Sequence, residues 1–373
     1  MADWSELPEE LLHLISRRLD HSCLYLLRFR SVCFSWRRYA FPLSRSFSIP
    51  EPYSLTHRSL ILLYPPNPNP NPNPNANPNP NANPRPWLIK ADLDPRSSTA
   101  RLYHPLSRSL RFPPKRSHFS LDLQRLRFRE LGSEFLIANT ELCADKMALA
   151  RTGERKDEFA LLTIHVSGKL VLYRSGDEWF TIIPDMWMPY DDVCAFAGAL
   201  YGVDSTGRAV TVMPDGGLAV VAAPVFGGDK KFLVESEGEL LLLDVHLWGN
   251  YFCSDGLFYE DDDEVEEGHE GAIQWERTVR FDVFRLDGEG GRWVEMGELG
   301  DRVLFLGDDC AFSASAVDLG LARGNCVVFR SDGFADDNRV AKGIGVFSFL
   351  AASRLAAAAA AAALIDALIM DPL

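Results

Sequence analysis

The first forty residues carry apolar side chains at helical spacing, and this spacing predicts three short helices. In the first helix apolar residues recur every three or four positions, at Leu11, Leu14, Ile15 and Leu19. Pro8 suits the first position of that helix, where its missing N–H costs nothing. Shorter runs predict a second helix from Cys23 to Phe29 and a third from Ser31 to Tyr39. Three such helices cannot bury a sufficient core alone, so they need a partner surface in this chain or in another protein.

From Trp87 onward, apolar and β-branched runs alternate with turn residues, which predicts strands. Three stretches have the pattern of hairpins: 199–213 turning at Asp204–Gly207, 232–245 turning at Ser236–Glu239, and 281–296 turning at Asp287–Gly291. A spacing of roughly 40 residues per hairpin-bearing unit is typical of propeller blades. A sandwich or an irregular barrel fits the same hairpins.

Two segments differ in composition from the rest. Asn-Pro repeats fill Pro65–Pro86 and predict a disordered loop, and a repeat expansion in a tolerant loop explains them. The alanine-rich tail 351–373 is a strong helix former. We therefore divide the chain into a helical module at 1–45, a linker at 46–86 that contains the disordered repeat at 65–86, a β domain at 87–350 and a helical tail at 351–373.

Charge is distributed unevenly over the 373 residues, whose formal net charge is −14. Residues 1–130 hold 19 basic and 10 acidic side chains, whereas residues 131–373 hold 19 basic and 42 acidic ones, a balance of −23. This acidic balance argues against nonspecific nucleic-acid binding, because phosphates favour a basic surface. The acidic run 260–270 lacks the ligand register of a calcium loop and is interpreted as a solvated loop.

The chemistry-bearing residues do not form a known catalytic or metal-binding motif. The sequence has no G-x-S-x-G, H-E-x-x-H or P-loop motif, and its eight histidines are dispersed. None of the seven cysteines forms a C-x-x-C pair, and several lie within apolar runs, as buried thiols of a reducing compartment do. We expect a protein without catalysis, cofactor or metal. We see neither a signal peptide nor a clean membrane span, and expect no membrane partner and a location in nucleus and cytoplasm.

The N-terminal segment resembles the F-box. LPEELLHLISRRL followed by LRFRSVCFSWRR has the Leu-Pro start, an amphipathic helix and the Val-Cys-x-x-Trp-Arg end of that family, over Trp4–Arg38. The resemblance implies binding to a Skp-type adaptor and, through it, to a cullin. It assigns the adaptor contacts to Leu7, Pro8, Leu11, Leu12, Ile15, Leu19, Leu24, Leu27, Phe29, Val32, Cys33 and Trp36.

The remainder is similar to the plant F-box family that carries the "domain of unknown function 295", whose fold is expected to be propeller-like. Matching pieces include WLIKADL at 87–93, FLVESEGELLLL at 232–243 and LGDRVLFLGDDCAFSASA at 299–316. The implied fold class is α+β and multidomain, with a short three-helix F-box, a large all-β propeller-like domain and an Ala-rich C-terminal helix. The family ends in a strand-like segment where this chain runs into alanines, which places closure of the propeller in doubt.

Together these resemblances imply a substrate-recruiting subunit of a Skp–cullin–F-box ubiquitin ligase, whose β domain binds an unknown target protein. Trp187, Tyr190 and Trp248 are candidate anchors for that target, although core packing is the commoner role of such residues. Three alternatives stay open. The helices could simply cap the β domain, the chain could act as a non-degradative or inhibitory interaction module, or it could be a degenerate member of the family without ligase activity.

Overall fold

The computed structural model describes most of the chain, with gaps. The described residues are 6–19, 23–40, 47, 49–64, 86–94, 99–108, 126–138, 146–153, 158–185, 187–213, 215–249, 277–330 and 344–349. The predicted disorder at 65–85, the acidic run 260–270 and the predicted helical tail 351–373 lie outside them. Among the described residues, no helix is long and apolar enough to cross a bilayer.

Four helices and twenty strands make up the described secondary structure. The helices are α1 Glu9–Arg18, α2 Cys23–Arg30, α3 Phe34–Tyr39 and α4 Ala316–Leu319. The first ten strands are β1 Ser54–Tyr64, β2 Trp87–Asp94, β3 Thr99–Tyr103, β4 Arg127–Ala138, β5 Lys146–Arg151, β6 Phe159–Ile164, β7 Leu170–Arg174, β8 Thr181–Ile182, β9 Tyr190–Phe196 and β10 Ala199–Asp204. The other ten are β11 Ala209–Val212, β12 Leu218–Ala222, β13 Lys230–Ser236, β14 Glu239–Gly249, β15 Arg277–Asp287, β16 Arg292–Met296, β17 Arg302–Leu306, β18 Ala311–Ser315, β19 Cys326–Arg330 and β20 Ile344–Ser348.

The three predicted N-terminal helices are present, the second with its predicted start at Cys23 and the first and third with later starts. Pro8 lies just before α1 rather than at its first position, and its carbonyl oxygen accepts the N–H groups of Leu11 and Leu12, each at 3.1 Å. Acidic residues begin α1 and Arg17 and Arg18 end it, in agreement with the helix dipole. The third helix begins three residues later than predicted, because Cys33 has an extended backbone with φ −159° and ψ 179°.

The strands form a propeller of five four-stranded blades within the described residues. Three blades are separate four-stranded sheets with the orders β12-β11-β10-β9, β13-β14-β15-β16 and β18-β17-β19-β20. The other two blades, β3-β2-β1-β4 and β5-β6-β7-β8, form one eight-stranded sheet. Only two residue pairs join β4 to β5, so this sheet divides there. We number the blades 1 to 5 in chain order.

All three predicted hairpins are confirmed. β10 pairs with β11, β13 with β14, and β15 with β16, each antiparallel and with its turn at the predicted residues. Two pairings depart from the simple up-and-down pattern, β1 with β4 in blade 1 and β17 with β19 in blade 5. In blade 5, β19 lies parallel to β17, with Val303 opposite Cys326, while β18 forms the inner edge.

The β region begins earlier than predicted. β1 lies inside the segment that was assigned to the linker, yet it pairs with both β2 and β4 at the centre of blade 1. The Asn-Pro repeats therefore connect two neighbouring strands of one blade instead of separating two domains. The repeats obscured this pairing, because strand partners more than twenty residues apart leave no local sequence signal.

The ring closes between blade 1 and blade 5. The five inner strands β4, β5, β9, β13 and β18 contact one another in a cycle that returns from β18 to β4. One apolar cluster joins the two end blades and includes Leu60, Leu62 and Leu88 from blade 1 and Phe305 and Phe312 from blade 5. Closure therefore uses residues before 350, so the doubt raised by the alanine tail does not apply to the ring.

Polar contacts between the loop that follows β3 and the turn between β17 and β18 reinforce this closure. Arg108 donates two hydrogen bonds to the Asp309 carboxylate, from Nε at 2.6 Å and from Nη2 at 2.7 Å. The backbone N–H of Asp308 donates to the Leu106 carbonyl at 2.9 Å. A Cβ on Gly307 would lie 2.9 Å from the Leu106 backbone, so this close approach requires glycine.

A buried ionic group lies behind the same loop. Lys90 and Glu134 are both fully buried and are joined by a 2.8 Å bond from Nζ to Oε1, while Arg58 approaches the other carboxylate oxygen. Burial alone would lower the pKa of Lys90, and the Glu134 carboxylate at 2.8 Å opposes this effect. The adjacent Cys310 thiol is neutral, because burial raises its pKa to about 12.

Candidate functional site

The N-terminal helices present two different sides. In α1, Leu12 and Ser16 are fully buried, and the Ser16 hydroxyl donates to the His13 carbonyl at 2.9 Å. Leu11, Leu14 and Ile15, three and four positions apart, are exposed and form a row on the outer side of the helix. We call these three residues the apolar row.

The second helix is packed on the propeller. Leu24 belongs to a cluster with Ile61 and Leu63 of β1 and Ile89 of β2. The Tyr25 ring lies 4.9 Å from the Phe128 ring, and the Arg28 guanidinium lies 5.6 Å from the centre of that same ring. The helices therefore do cap blade 1, as one of the alternatives proposed, but through α2.

The third helix adds further exposed apolar surface. Val32 precedes α3 and is exposed, and Phe34, its first residue, is 75% exposed. Trp36 is half-buried because its ring packs on the buried Phe29, with 4.5 Å between centroids. Five of the fourteen exposed large hydrophobic residues of the described chain lie in these forty residues. Such a density of exposed apolar side chains marks an interaction surface.

The twelve predicted adaptor contacts fall into three groups. The exposed ones are Pro8, Leu11, Ile15 and Val32, and the half-buried ones are Leu7, Leu19, Leu27, Cys33 and Trp36. The buried ones are Leu12, Leu24 and Phe29. In this structure the last three are interior residues: Leu24 packs on blade 1, Phe29 packs on Trp36 of α3, and Leu12 is fully buried. Two exposed residues, Leu14 and Phe34, were absent from the predicted set, although the helical spacing of Leu14 from Leu11 was a usable signal.

The propeller candidates differ from one another as well. Trp187 is exposed, and the Arg208 guanidinium lies 5.8 Å from the centre of its ring. Tyr190 is buried, which agrees with core packing as the commoner role of such residues, and burial raises its pKa to about 12 against the opposing effect of Arg208. Trp248 lies in β14, but its side chain is outside the described residues.

The centre of the propeller contains a polar cavity of 610 Å³ between the five inner strands. Most of its charged lining is already paired. Lys146 Nζ lies 2.5 Å from Asp192, whose other oxygen accepts the Leu233 N–H, and Arg129 pairs with Asp318. No cluster of His, Cys, Asp or Glu with the geometry of a metal site occurs within the described part of the chain. These ion pairs and hydrogen bonds therefore connect neighbouring blades across the cavity.

Comparison with known proteins decides the family. The F-box domain model matches residues 4–40, and the KIB1-4 beta-propeller model matches residues 53–348. The chain belongs to the F-box proteins with a KIB1-4 beta-propeller. The propeller match starts at residue 53, which agrees with β1 as a propeller strand.

Relatives of this F-box propeller family extend over nearly the whole chain. F-box protein SKIP23 of Arabidopsis thaliana is 38% identical over 384 residues, which covers 94% of this chain and 90% of the relative. F-box protein At2g17036 of the same plant is 33% identical and covers 86% of this chain and 81% of its own length. The resemblance to plant F-box proteins that the sequence motifs indicated is thus confirmed.

Proposed function

We propose that this F-box protein is the substrate-recruiting subunit of a Skp–cullin–F-box ubiquitin ligase. Its apolar row binds the Skp-type adaptor, the adaptor binds the cullin, and the propeller holds the target protein. The chain contributes no catalysis of its own, because its role is to raise the concentration of target lysines near the conjugating enzyme. With its cysteines kept as thiols, it acts in the nucleus and cytoplasm.

The observation that supports this proposal is that α2 packs on the propeller while α1 presents large apolar side chains to solvent. α2 packs on blade 1 through Leu24 and Tyr25, whereas Leu11, Leu14 and Ile15 are exposed although they are large and apolar. Burying each of these side chains in a partner contributes on the order of 1.5–3 kcal/mol. A helix that only capped the propeller would gain no stability from large apolar side chains that are exposed to solvent.

Co-purification with a Skp-type adaptor and a cullin tests the proposal. We expect the full chain to bind the adaptor and Leu11→Asp with Ile15→Asp to abolish binding without loss of the folded propeller. Val317→Asp is the matched control, because Val317 is an exposed apolar residue on α4, far from α1 along the chain, and it should leave binding unchanged. Equal adaptor binding by the double variant and the parent would refute the assignment.

Ubiquitin transfer separates the ligase from a non-degradative module. A chain that binds adaptor and cullin but leaves a propeller-bound protein unmodified in a reconstituted ligase would favour the inhibitory alternative. The degenerate alternative predicts a propeller that does not close. The continuous cycle of inner strands supports an intact ring. A single cooperative unfolding transition of the full chain would support the same conclusion in solution.

A further inference from the structure

One face of the propeller carries a rigid apolar platform that neither the F-box nor the ring closure uses. Successive strands of blades 2 to 4 are antiparallel, so the connections β6–β7, β8–β9, β10–β11 and β12–β13 all lie on the same face. We call residues 165–169, 187–189, 205–208 and 223–229 of these connections the loop platform.

Backbone hydrogen bonds join the platform segments edge to edge. The N–H of Tyr190, which follows the second segment, donates to the Gly168 carbonyl at 2.9 Å, and the Ser205 N–H donates to the Pro189 carbonyl at 2.9 Å. The Val225 N–H donates to the Thr206 carbonyl at 2.8 Å. Four separate connections therefore form one continuous surface.

The central turn of the platform is held in a single conformation. One Asp204 carboxylate oxygen accepts from the Thr206 N–H, the Thr206 hydroxyl and the Arg208 N–H. Gly207 has φ +84° and lies against the Val225 backbone, and its carbonyl accepts the Trp293 indole N–H at 2.7 Å from below. Side chains presented by such a turn lose little conformational entropy on binding.

Large apolar side chains nevertheless remain exposed on both sides of this turn. Trp187, next to Met188, is 59% exposed on one side, and Phe226, next to Val225, is 72% exposed on the other, while Val166 is exposed at the outer edge. Rigid exposed aromatic residues around a central point are the usual anchors of protein interfaces.

Charge at the platform indicates the chemistry of its partner. Its basic side chains, Lys169 and Arg208, are partly buried, and Arg208 lies under Trp187 and pairs with Asp204. The adjoining Lys230 is also partly buried and lies over the Phe232 ring. The carboxylates at its edges, Asp185 and Asp229, are exposed. Residues 131–373 as a whole have a charge balance of −23, which disfavours nucleic acid and acidic segments.

We infer that the loop platform binds an extended protein segment in which a large apolar side chain, placed between Trp187 and Phe226, is flanked by lysine or arginine. This inference deepens the proposed function and rests on it, since the segment would belong to the recruited target. The apolar anchor supplies the affinity, and the basic flanks complement Asp185 and Asp229.

Selection from a phage-displayed random dodecapeptide library on the immobilised full chain tests the inference. We expect enrichment of peptides with an aromatic or large aliphatic residue between basic residues. An enriched peptide, synthesised with a fluorophore and titrated by anisotropy, should bind the Trp187→Ala and Phe226→Ala variants about tenfold more weakly. Binding should also weaken as salt is raised.

Trp179→Ala is the matched control. Trp179 is 69% exposed, but it lies on the β7–β8 connection at the opposite face, so its removal should leave the titration unchanged. The inference is overturned if no peptide is enriched, if the enriched peptides are acidic, or if their binding survives both platform substitutions. A single cooperative unfolding transition like that of the parent chain shows that the Trp187→Ala variant is folded. Loss of adaptor binding by the parent chain would defeat the recruiter proposal while leaving the peptide result standing.

Discussion

The N-terminal helices and the propeller handle apolar and charged groups in opposite ways. The propeller buries even lysines, with Lys90 and Lys231 fully enclosed and paired with Glu134 and Asp244. The helices leave leucine, isoleucine and phenylalanine exposed. The contrast shows that the propeller has a buried core of its own, whereas the helices leave a row of large apolar side chains uncovered on their outer side. Four substitutions test this contrast.

The largest effect is expected from Glu134→Ala. It leaves the Lys90 ammonium buried without its carboxylate, and breaking such a pair costs about 3–5 kcal/mol. Urea unfolding of the full chain measures the loss. Glu235→Ala removes an exposed glutamate from the inner strand β13 and is expected to change stability by less than about 0.5 kcal/mol. Similar losses for the two variants would show that the buried pair does not hold the propeller.

A smaller loss is expected from Leu24→Ala at the junction of α2 with blade 1. Truncating a buried leucine costs about 2–5 kcal/mol where the site cannot collapse, and this helix borders solvent, so the lower end applies. Leu14→Ala is the control, because Leu14 is exposed in the free chain. If Leu24→Ala left the unfolding free energy unchanged, α2 would not be anchored to the propeller in solution.

A pH-dependent effect is expected from Asp191→Asn. Burial raises the pKa of Asp191 to about 6, although its carboxylate accepts the Lys231 N–H at 2.9 Å and lies near Lys230 and Lys231 as well as Asp192. The folded protein therefore holds this proton more tightly than the unfolded chain, whose value is near 3.8, and this group's contribution to stability falls as pH rises from 4 to 6.

An asparagine keeps the hydrogen-bond acceptor and removes the buried charge. Asp191→Asn should therefore raise the unfolding free energy by on the order of 1 kcal/mol at neutral pH and have no benefit below pH 4. Thermal unfolding at the two pH values measures this. An equal gain at both pH values would show that the charge is not the cause.

The smallest effect on stability, and a large one on binding, is expected from Leu14→Ser. Its side chain is outside every apolar cluster of the described chain, so the unfolding free energy should change by less than about 0.5 kcal/mol. Adaptor affinity should fall about tenfold if Leu14 extends the contact made by Leu11 and Ile15. Unchanged affinity would show that Leu14 does not contact the adaptor and that other residues of the helices make the contact.

Features that depend on residues close together along the chain could be predicted from the sequence. The turns at Asp204–Gly207, Ser236–Glu239 and Asp287–Gly291 were predictable because turn residues and alternating strands lie within about ten positions of one another. The F-box motif and the amphipathic spacing of α1 were predictable for the same reason. Spacing alone could not say that Leu12 is buried while Leu11 is exposed, since both lie on the apolar side of the helix.

Contacts between segments far apart along the chain could not be predicted and are seen in the folded protein alone. β1 joins β4 across more than sixty residues, β18 meets β4 across almost two hundred, and neither partner is marked in the local sequence. The platform likewise needs Trp187 and Phe226 beside a turn that both flanking connections contact through the backbone. Such contacts depend on which strands become neighbours, and closure of the ring sets the arrangement of the strands.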